Sequence, residues 1–284
     1  SNGLLTIKAT TSPLPIYIPR VLEESIESLK PILLSSHNEQ ADDEAVEKLV
    51  PEIISRLESS REAAALEEEG EDGIIEKLLS ESWALGPKQV GPNVLSVGKM
   101  LDADPAEGGN FVRPLGKPSV GMAFGISSNT VQSVDFNATE GSKNALINFH
   151  DPTVIGAIEG NVLTGFQMAT ERGPLCDEPL FGVNVSLEVY SKVDPEKDGD
   201  SDDGAGEEQY GPFSGQVISA AREAIRQSVL KSGPRLVEAM YLSVITTTSE
   251  ALGGTYSVLG RRRAKVLSES IREGTGVFII HSYL

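Results

Sequence analysis

The stretch Tyr210–Lys231, YGPFSGQVISAAREAIRQSVLK, decides how the rest of the chain is read. A glycine-punctuated turn runs straight into an amphipathic helical pattern. Gly211 and Gly215 allow positive φ and close approach of another backbone, while Pro212 removes a donor and stiffens the turn. Ser219 is the expected N-cap, and from there Ala221, Ile225 and Val229 recur every four residues along one face. Arg222, Arg226 and Lys231 lie off that stripe and are expected to face solvent. Gly233-Pro234 stops the helix. Two readings stay open for the turn. It presents first-turn amides to phosphate with Phe213 free to stack on a base, or it is an ordinary turn with Phe213 tucked into its own core. Composition alone favours the second.

Upstream of this stretch the acidic run Asp194–Glu208 is preceded by Phe181–Val193, where Val183, Val185, Leu187 and Val189 alternate with polar residues as in a half-buried strand. Asp151-Pro152 is an N-cap followed by proline at the first helical position. Ile155, Ile158, Val162, Leu163, Phe166 and Gln167 continue that helix until Gly173-Pro174. The segment 99–150 is rich in Gly, Pro, Ser and Asn and reads as an insertion that covers the sheet and carries a hairpin. Pro92–Val97 is a strand, and Trp83, beside two Gly-Pro pairs, is a core anchor. Further back, Leu4–Thr11 is a first strand, Ile18, Val21, Leu22, Ile26, Leu29 and Leu33 mark a helix, and Val46, Leu49, Ile53 and Leu57 mark a second. That second helix fades into the solvated acidic run Glu67–Asp72, and Ile74–Ser82 restarts as a helix. Strands alternating with helices imply a sheet with helices packed on one face.

Downstream, Val237–Thr246 reads as a strand, Ser249–Leu259 as a helix capped by Ser249, and Ala264–Ser270 and Gly276–Tyr283 as two more strands. This β-α-β-β order is the first part of a split βαβ, ferredoxin-like domain. Arg261-Arg262-Arg263 and Lys265 fall where the helix is left. They complement the helix dipole as well as they would meet RNA.

The 284 residues, 39% of them apolar, suffice for one large domain or two ordinary ones. The net charge of −18 disfavours nucleic acid over most of the surface. From Val217 to Leu284, however, nine Lys or Arg stand against five Asp or Glu, so that this end is basic. The acidic stretches Glu39–Asp72 and Asp194–Glu208 read as solvated surface, with docking of basic protein tails as the open alternative. The one cysteine, Cys176, excludes an intrachain disulfide, points to a reducing compartment and is expected to be a small buried hydrophobe. His37, His150 and His281 share no zinc-ligand spacing, no apolar run is long enough to span a bilayer, and the first residues show neither a charged n-region nor an h-region, so no secretion is expected. The leading Ser1-Asn2, without an initiator Met, predicts a piece of something longer.

Catalytic patterns are missing where they would be sought. The P-loop pattern G-x-x-x-x-G-K-[ST] fails at Gly116-Lys117-Pro118-Ser119, since residue 111 is Phe and Pro118 both displaces the hydroxyl and removes an amide. The dense carboxylates sit in solvated runs that keep them ordinary, and no nucleophile has an identifiable base and orienting group. The residues alone describe a two-domain intracellular binding module with one basic end.

Several longer motifs do resemble a known family. Trp83-Ala84-Leu85-Gly86-Pro87, Gly91–Leu95, Gly165–Thr170 and Gly173–Leu180 resemble domain IV of elongation factor 2, and Pro234-Arg235-Leu236, Gly253–Leu259 and Arg261–Val266 resemble the start of its domain V. The order holds across most of the chain. In that family the domain IV tip carries a His-Arg-Gly-Gly-Gly-Gln loop whose histidine becomes diphthamide. Here Gly211 and Pro212 stand at the histidine and arginine positions, so the modifiable imidazole is absent. The loop Tyr210-Gly211-Pro212-Phe213-Ser214-Gly215-Gln216, the acidic insertion before it and Glu273–Ile280 instead resemble the elongation factor-like GTPase 1 family of elongation factor 2-like ribosome biogenesis GTPases.

That resemblance implies an α+β fold. Residues 1–233 would form a ribosomal-S5-like domain IV with insertions at about 37–75, 99–150 and 191–209, and residues 234–284 would begin a ferredoxin-like domain V. It implies a cytoplasmic parent GTPase that binds GTP and Mg²⁺ N-terminal to residue 1, with no catalysis or cofactor in this segment. The implied partners are the 60S ribosomal subunit, through its rRNA and ribosomal proteins, the Shwachman-Bodian-Diamond protein and the anti-association initiation factor that the two expel. The expected contact residues are Tyr210, Gly211, Pro212, Phe213, Ser214, Gly215, Gln216, Arg222 and Arg226. The alternatives are the arm of a divergent translational or spliceosomal member of the elongation factor 2 family, and a ribosome-binding module without a G domain.

Overall fold

The computed structural model describes residues 5–35, 43–64, 74–101, 110–120, 151–191, 213–238 and 240–284. Contacts divide the chain into two units, Ser1–Pro234 and Arg235–Leu284.

The first unit is built on strand β6 (Val183–Ser191). Its inward residues Val185, Leu187 and Val189 are fully buried, as the alternation predicts. β1 (Leu5–Pro13) runs antiparallel along its whole length on one side. On the other side β3 (Asn93–Ser96) pairs in parallel with its first half and β4 (Gly98–Leu101) with its second. β2 (Ser82–Gly86) and β5 (Phe111–Leu115) then add antiparallel outside β3 and β4. The expected insertion at 99–150 therefore begins inside the sheet. Its hairpin extends the sheet in plane, because the backbone of β6 beyond β3 still offers unpaired groups. The β-like run Ser119–Phe124 is helical at residues 119–120, and its remainder lies outside the described residues.

Helices α5 (Pro152–Glu171) and α6 (Phe213–Lys231) cover one face of the sheet. α5 starts as expected. Asp151 accepts from the Thr153 amide and hydroxyl, bonds that hold its carboxyl below the ordinary range, and Pro152 follows at the first helical position. Because the folded carboxyl titrates low, this cap contributes above the ordinary carboxylate pKa and is lost as pH falls through the lowered one. Ile155, Ile158, Val162, Phe166 and Ala169 of α5 and Val217, Ala221, Ile225 and Val229 of α6 close on Val185, Leu187 and Val189. Trp83 is part of this core, as expected, and its indole lies against Gly116, where φ is +84° and an added Cβ would sit 2.2 Å from the ring.

The opposite face is not open, contrary to the one-sided sheet expected. Helices α1 (Tyr17–Glu24), α2 (Ile26–Ser35), α3 (Asp43–Ala64) and α4 (Ile74–Ser80) pack a second core of Ile18, Val21, Leu22, Leu29, Ile53, Leu57, Ile75 and Leu79 against Leu85 and Val94. β2 and β3 are buried at every position, the pattern of strands covered on both faces rather than one. Arg56 of α3 fixes the break between α1 and α2, donating to Ser25 Oγ (3.0 Å) and Glu24 Oε2 (2.7 Å). The acidic runs Glu67–Asp72 and Asp194–Glu208, together with His37 and His150, lie outside the described residues.

Three residues from the family-like motifs hold the β2–β3 turn. Asn93 donates from Nδ2 to the carbonyls of Gly86 (3.0 Å) and Leu180 (2.7 Å) and accepts from the Val183 amide (3.0 Å). Gln167 of α5 donates to Leu85 O (2.7 Å) and accepts from the Gln89 amide (3.0 Å). Gly86 presses on Phe166 and Thr170, each with an atom 2.7 Å from where a Cβ would stand. Cys176, expected to be buried, is exposed in the turn after α5, because Gly173-Pro174 leads the chain away from the core.

The second unit consists of β7 (Leu242–Thr248), α7 (Leu252–Arg261), β8 (Lys265–Arg272) and β9 (Val277–Tyr283). β9 lies between β7 and β8 and is antiparallel to both, which gives the split β-α-β-β arrangement. β7 starts five residues later than the apolar run suggests. α7 is capped at Ala251 without a side-chain bond rather than by Ser249, since residues 249–251 form a turn. Tyr256 on α7 donates to Glu269 on β8, a bond that raises the phenol above its usual pKa. His281 lies in β9, half-buried.

Candidate functional site

The residues singled out from sequence converge on α6, but the helix starts earlier than expected. Phe213 is its first residue, so Ser214, Gly215 and Gln216 occupy its first turn and Ser219 lies inside it instead of capping it. The two small residues after Phe213 do not stop the helix because Phe213 and Val217 bind it to the core from its beginning. Tyr210, Gly211 and Pro212 lie outside the described residues.

The Phe213 ring is half-buried and packs against the main core. Phe213→Ala is expected to lower the urea midpoint by an amount worth about 1–2 kcal/mol, roughly half the value of a fully buried ring. An unchanged midpoint accompanied by weaker ribosome binding would return the ring to a stacking role.

Along the outer side of α6, Ser219, Arg222, Glu223 and Arg226 line a shallow depression with Asp177. The two arginines are not simply solvent-facing as expected. α5 and α6 approach so closely at Gly165 that a Cβ there would lie 2.8 Å from Ala221 Cβ and 3.3 Å from the Arg222 amide. The arginine stems therefore lie on the helix junction with their heads at its rim. Arg222 is half-buried, and its Nε is buried without a hydrogen-bond acceptor among the described residues. Arg226 reaches across to the turn after α5, donating to Arg172 O at 3.4 Å and pairing with Asp177 Oδ1 at 3.7 Å. Both distances are long, and Asp177 is 71% exposed, so this ion pair is worth about 0–1 kcal/mol. Two like charges one helical turn apart cost about 0.2–0.5 kcal/mol without an anion between them. Glu223 is engaged by Gln227, whose Nε2 donates to it at 2.7 Å.

Sequence reading missed Asp177 and Arg172. Both lie in the turn that ends α5, and Asp177 takes φ +57°, a backbone state that residue order does not reveal. The arrangement can bind an anion. Among the described residues, no cluster of His, Cys, Asp or Glu is placed to hold a metal ion, and no helix is long and apolar enough to cross a membrane.

Residues 10–96 match the elongation factor-like GTPase 1-like domain family. The whole chain aligns at 28% identity with mouse elongation factor-like GTPase 1, covering 26% of that protein. Ribosome assembly protein 1 of Schizosaccharomyces pombe is 29% identical over 99% of the chain and 24% of its own length. The protein of the same name in Saccharomyces cerevisiae is 27% identical over 94% of the chain and 19% of its length. The chain thus spans about a quarter of the curated relatives it matches, and the family resemblance read from the motifs holds from end to end.

Proposed function

We propose that this chain, similar over its full length to a quarter of elongation factor-like GTPase 1, is the ribosome-facing arm of a GTPase of late large-subunit maturation. The observation that carries the reading is the end-to-end alignment with relatives named for ribosome assembly. Residues 1–233 act as domain IV and residues 234–284 as the start of domain V. The division into units at Pro234 and the split β-α-β-β order of the second unit support that assignment. GTP and Mg²⁺ belong to a G domain elsewhere in the parent protein, and this segment serves as effector rather than catalyst.

In this reading the arm works in the cytoplasm on the pre-60S particle. The outer side of α6 and the residues leading into it, 210–212, meet rRNA, ribosomal protein or the Shwachman-Bodian-Diamond protein. The GTP state of the parent sets the pose of the arm, and the result is departure of the anti-association initiation factor. The half-buried Arg222 and Arg226 support α6 as the contact helix, since they set two cations, beside Asp177 and Glu223, on the outer side of one helix of a chain that is acidic overall.

Co-sedimentation with purified 60S subunits tests the proposal, with and without the anti-association factor and with the Shwachman-Bodian-Diamond protein added. The expected result is salt-sensitive binding that changes when either protein is present. Binding no greater than that of an unrelated acidic protein would overturn it.

A further inference from the structure

Resting on the ribosome-facing reading, we infer that Arg222, Arg226 and Ser219 form a clamp for an RNA phosphodiester, over which Asp177 sits as a displaceable competitor. These four side chains and Glu223 line one depression, where Glu223 Oε1 already accepts from Gln227. Among the described residues, two guanidiniums one helical turn apart converge there without a well-bonded anion. Among those residues Arg222 Nε has no acceptor although it is buried, and both interactions of Arg226 exceed ordinary hydrogen-bond length.

Asp177 gives Arg226 one loosely placed carboxylate oxygen, leaves Arg222 Nε unmet, and stands at φ +57° on an exposed turn. Nothing in its own bonding holds it strongly to Arg226. A phosphodiester shares one negative charge between two non-bridging oxygens that can accept from two guanidinium forks at once, and its ester oxygens can accept from a hydroxyl donor such as Ser219. An RNA strand also supplies charge that a single acidic side chain does not. The chain as a whole is acidic, so such an interaction is local and strongly salt-dependent. Binding turns Asp177 outward and exchanges one weak ion pair for charge-assisted bonds to both arginines. Asp177 thereby sets how much affinity the clamp shows, and discriminates against weaker anions that cannot displace it.

The test is fluorescence anisotropy of the full chain with a short labelled single-stranded RNA over a series of salt concentrations. The double variant Arg222→Gln/Arg226→Gln is expected to bind about tenfold more weakly at low salt. Its slope of log Kd against log salt should fall by about 0.7, the contribution of the one phosphate that is no longer neutralised. Asp177→Asn is expected to bind about threefold more tightly. Lys30→Gln/Lys231→Gln, which removes the same charge elsewhere, should leave the slope unchanged.

The opposite signs are decisive, because Asp177→Asn and Arg226→Gln break the same ion pair. A purely structural role predicts that both lower stability and weaken binding together, and that outcome overturns the clamp. Competition by polyglutamate as effective as that by RNA would assign the site to an acidic peptide and overturn it equally. Sedimentation separates this inference from the reading beneath it. Salt-sensitive 60S binding that survives the double variant rejects the clamp and leaves the arm intact. RNA binding that obeys the predicted signs, without 60S binding, supports the clamp and rejects the ribosomal arm.

Discussion

Asn93→Ala is expected to remove about 3–5 kcal/mol of stability, a large share of what a domain of this size has to lose. The side chain is fully buried, and its carboxamide meets three backbone groups at once: two carbonyls, those of Gly86 and Leu180, and the amide of Val183. These belong to the end of β2, the loop before β6 and the first residue of β6, so one side chain ties the β2–β3 pair, whose ladder joins Gly86 to Asn93, to the chain entering β6, ahead of the Val94–Asn184 pair of the β3–β6 ladder. Alanine removes the side-chain partner of all three groups at a fully buried position. Asn93→Asp is expected to cost at least as much, since it sets a carboxylate against two carbonyl oxygens and keeps only the bond from Val183. Urea denaturation would show a lower midpoint with an unchanged slope. A loss below about 1 kcal/mol in both variants would mean that water satisfies the turn and that Asn93 does not organise it.

Gly165→Val is expected to lose about 3 kcal/mol or more and to disturb the arginines as well. At this point α5 and α6 touch through their backbones. A Cβ would stand 2.9 Å from the carbonyl of Ile218 as well as close to Ala221 and Arg222. Relief requires α6 to lift, and lifting it draws Ala221 and Ile225 out of the main core. The same helix contains its own control. Among the described residues nothing lies within 4 Å of a Cβ added at Gly156 or Gly160. Gly156→Ala and Gly160→Ala should therefore stabilise by up to about 1 kcal/mol each, through helix propensity and a less free unfolded chain. Thermal melts of the three variants should split in sign along a single helix. If Gly165→Val melted with the wild type, the helix crossing would be loose and the arginine rim would not be held by it.

Much of the scaffold was legible because its signals are local. The four-residue spacing of Ala221, Ile225 and Val229 and the alternation of Val185, Leu187 and Val189 each report a face that must be buried, and the structure buries both sets. Asp151-Pro152 is a cap whose chemistry is complete within three residues. The errors arose where distant segments decide. Ser219 has the right side chain for a cap, but Phe213 and Val217 already find the core, and a helix extends as far as packing rewards it. Cys176 is a residue type that is usually buried, yet a turn imposed by Gly173-Pro174 carries it outward. The second helical layer was missed as a layer because continuous burial of β2 and β3 looks, in one dimension, like any short apolar run.

Residue order by itself determined the kind of protein this is: an α+β chain with a basic end, bearing motifs that align from end to end with ribosome assembly relatives. It determined which residues of α5, α6 and β6 face inward, since side-chain direction follows from helical and strand periods alone. The tertiary structure decided what those motifs do. Asn93 and Gln167 prove to be ties across the β2–β3 turn, and Gly165 is the point where two helices touch. Arg222, Arg226 and Asp177 become neighbours only because α6 packs beside the end of α5. Electrostatic and hydrogen-bond partnerships depend on distances of a few ångströms between residues far apart in sequence, and those distances exist only after the cores have closed.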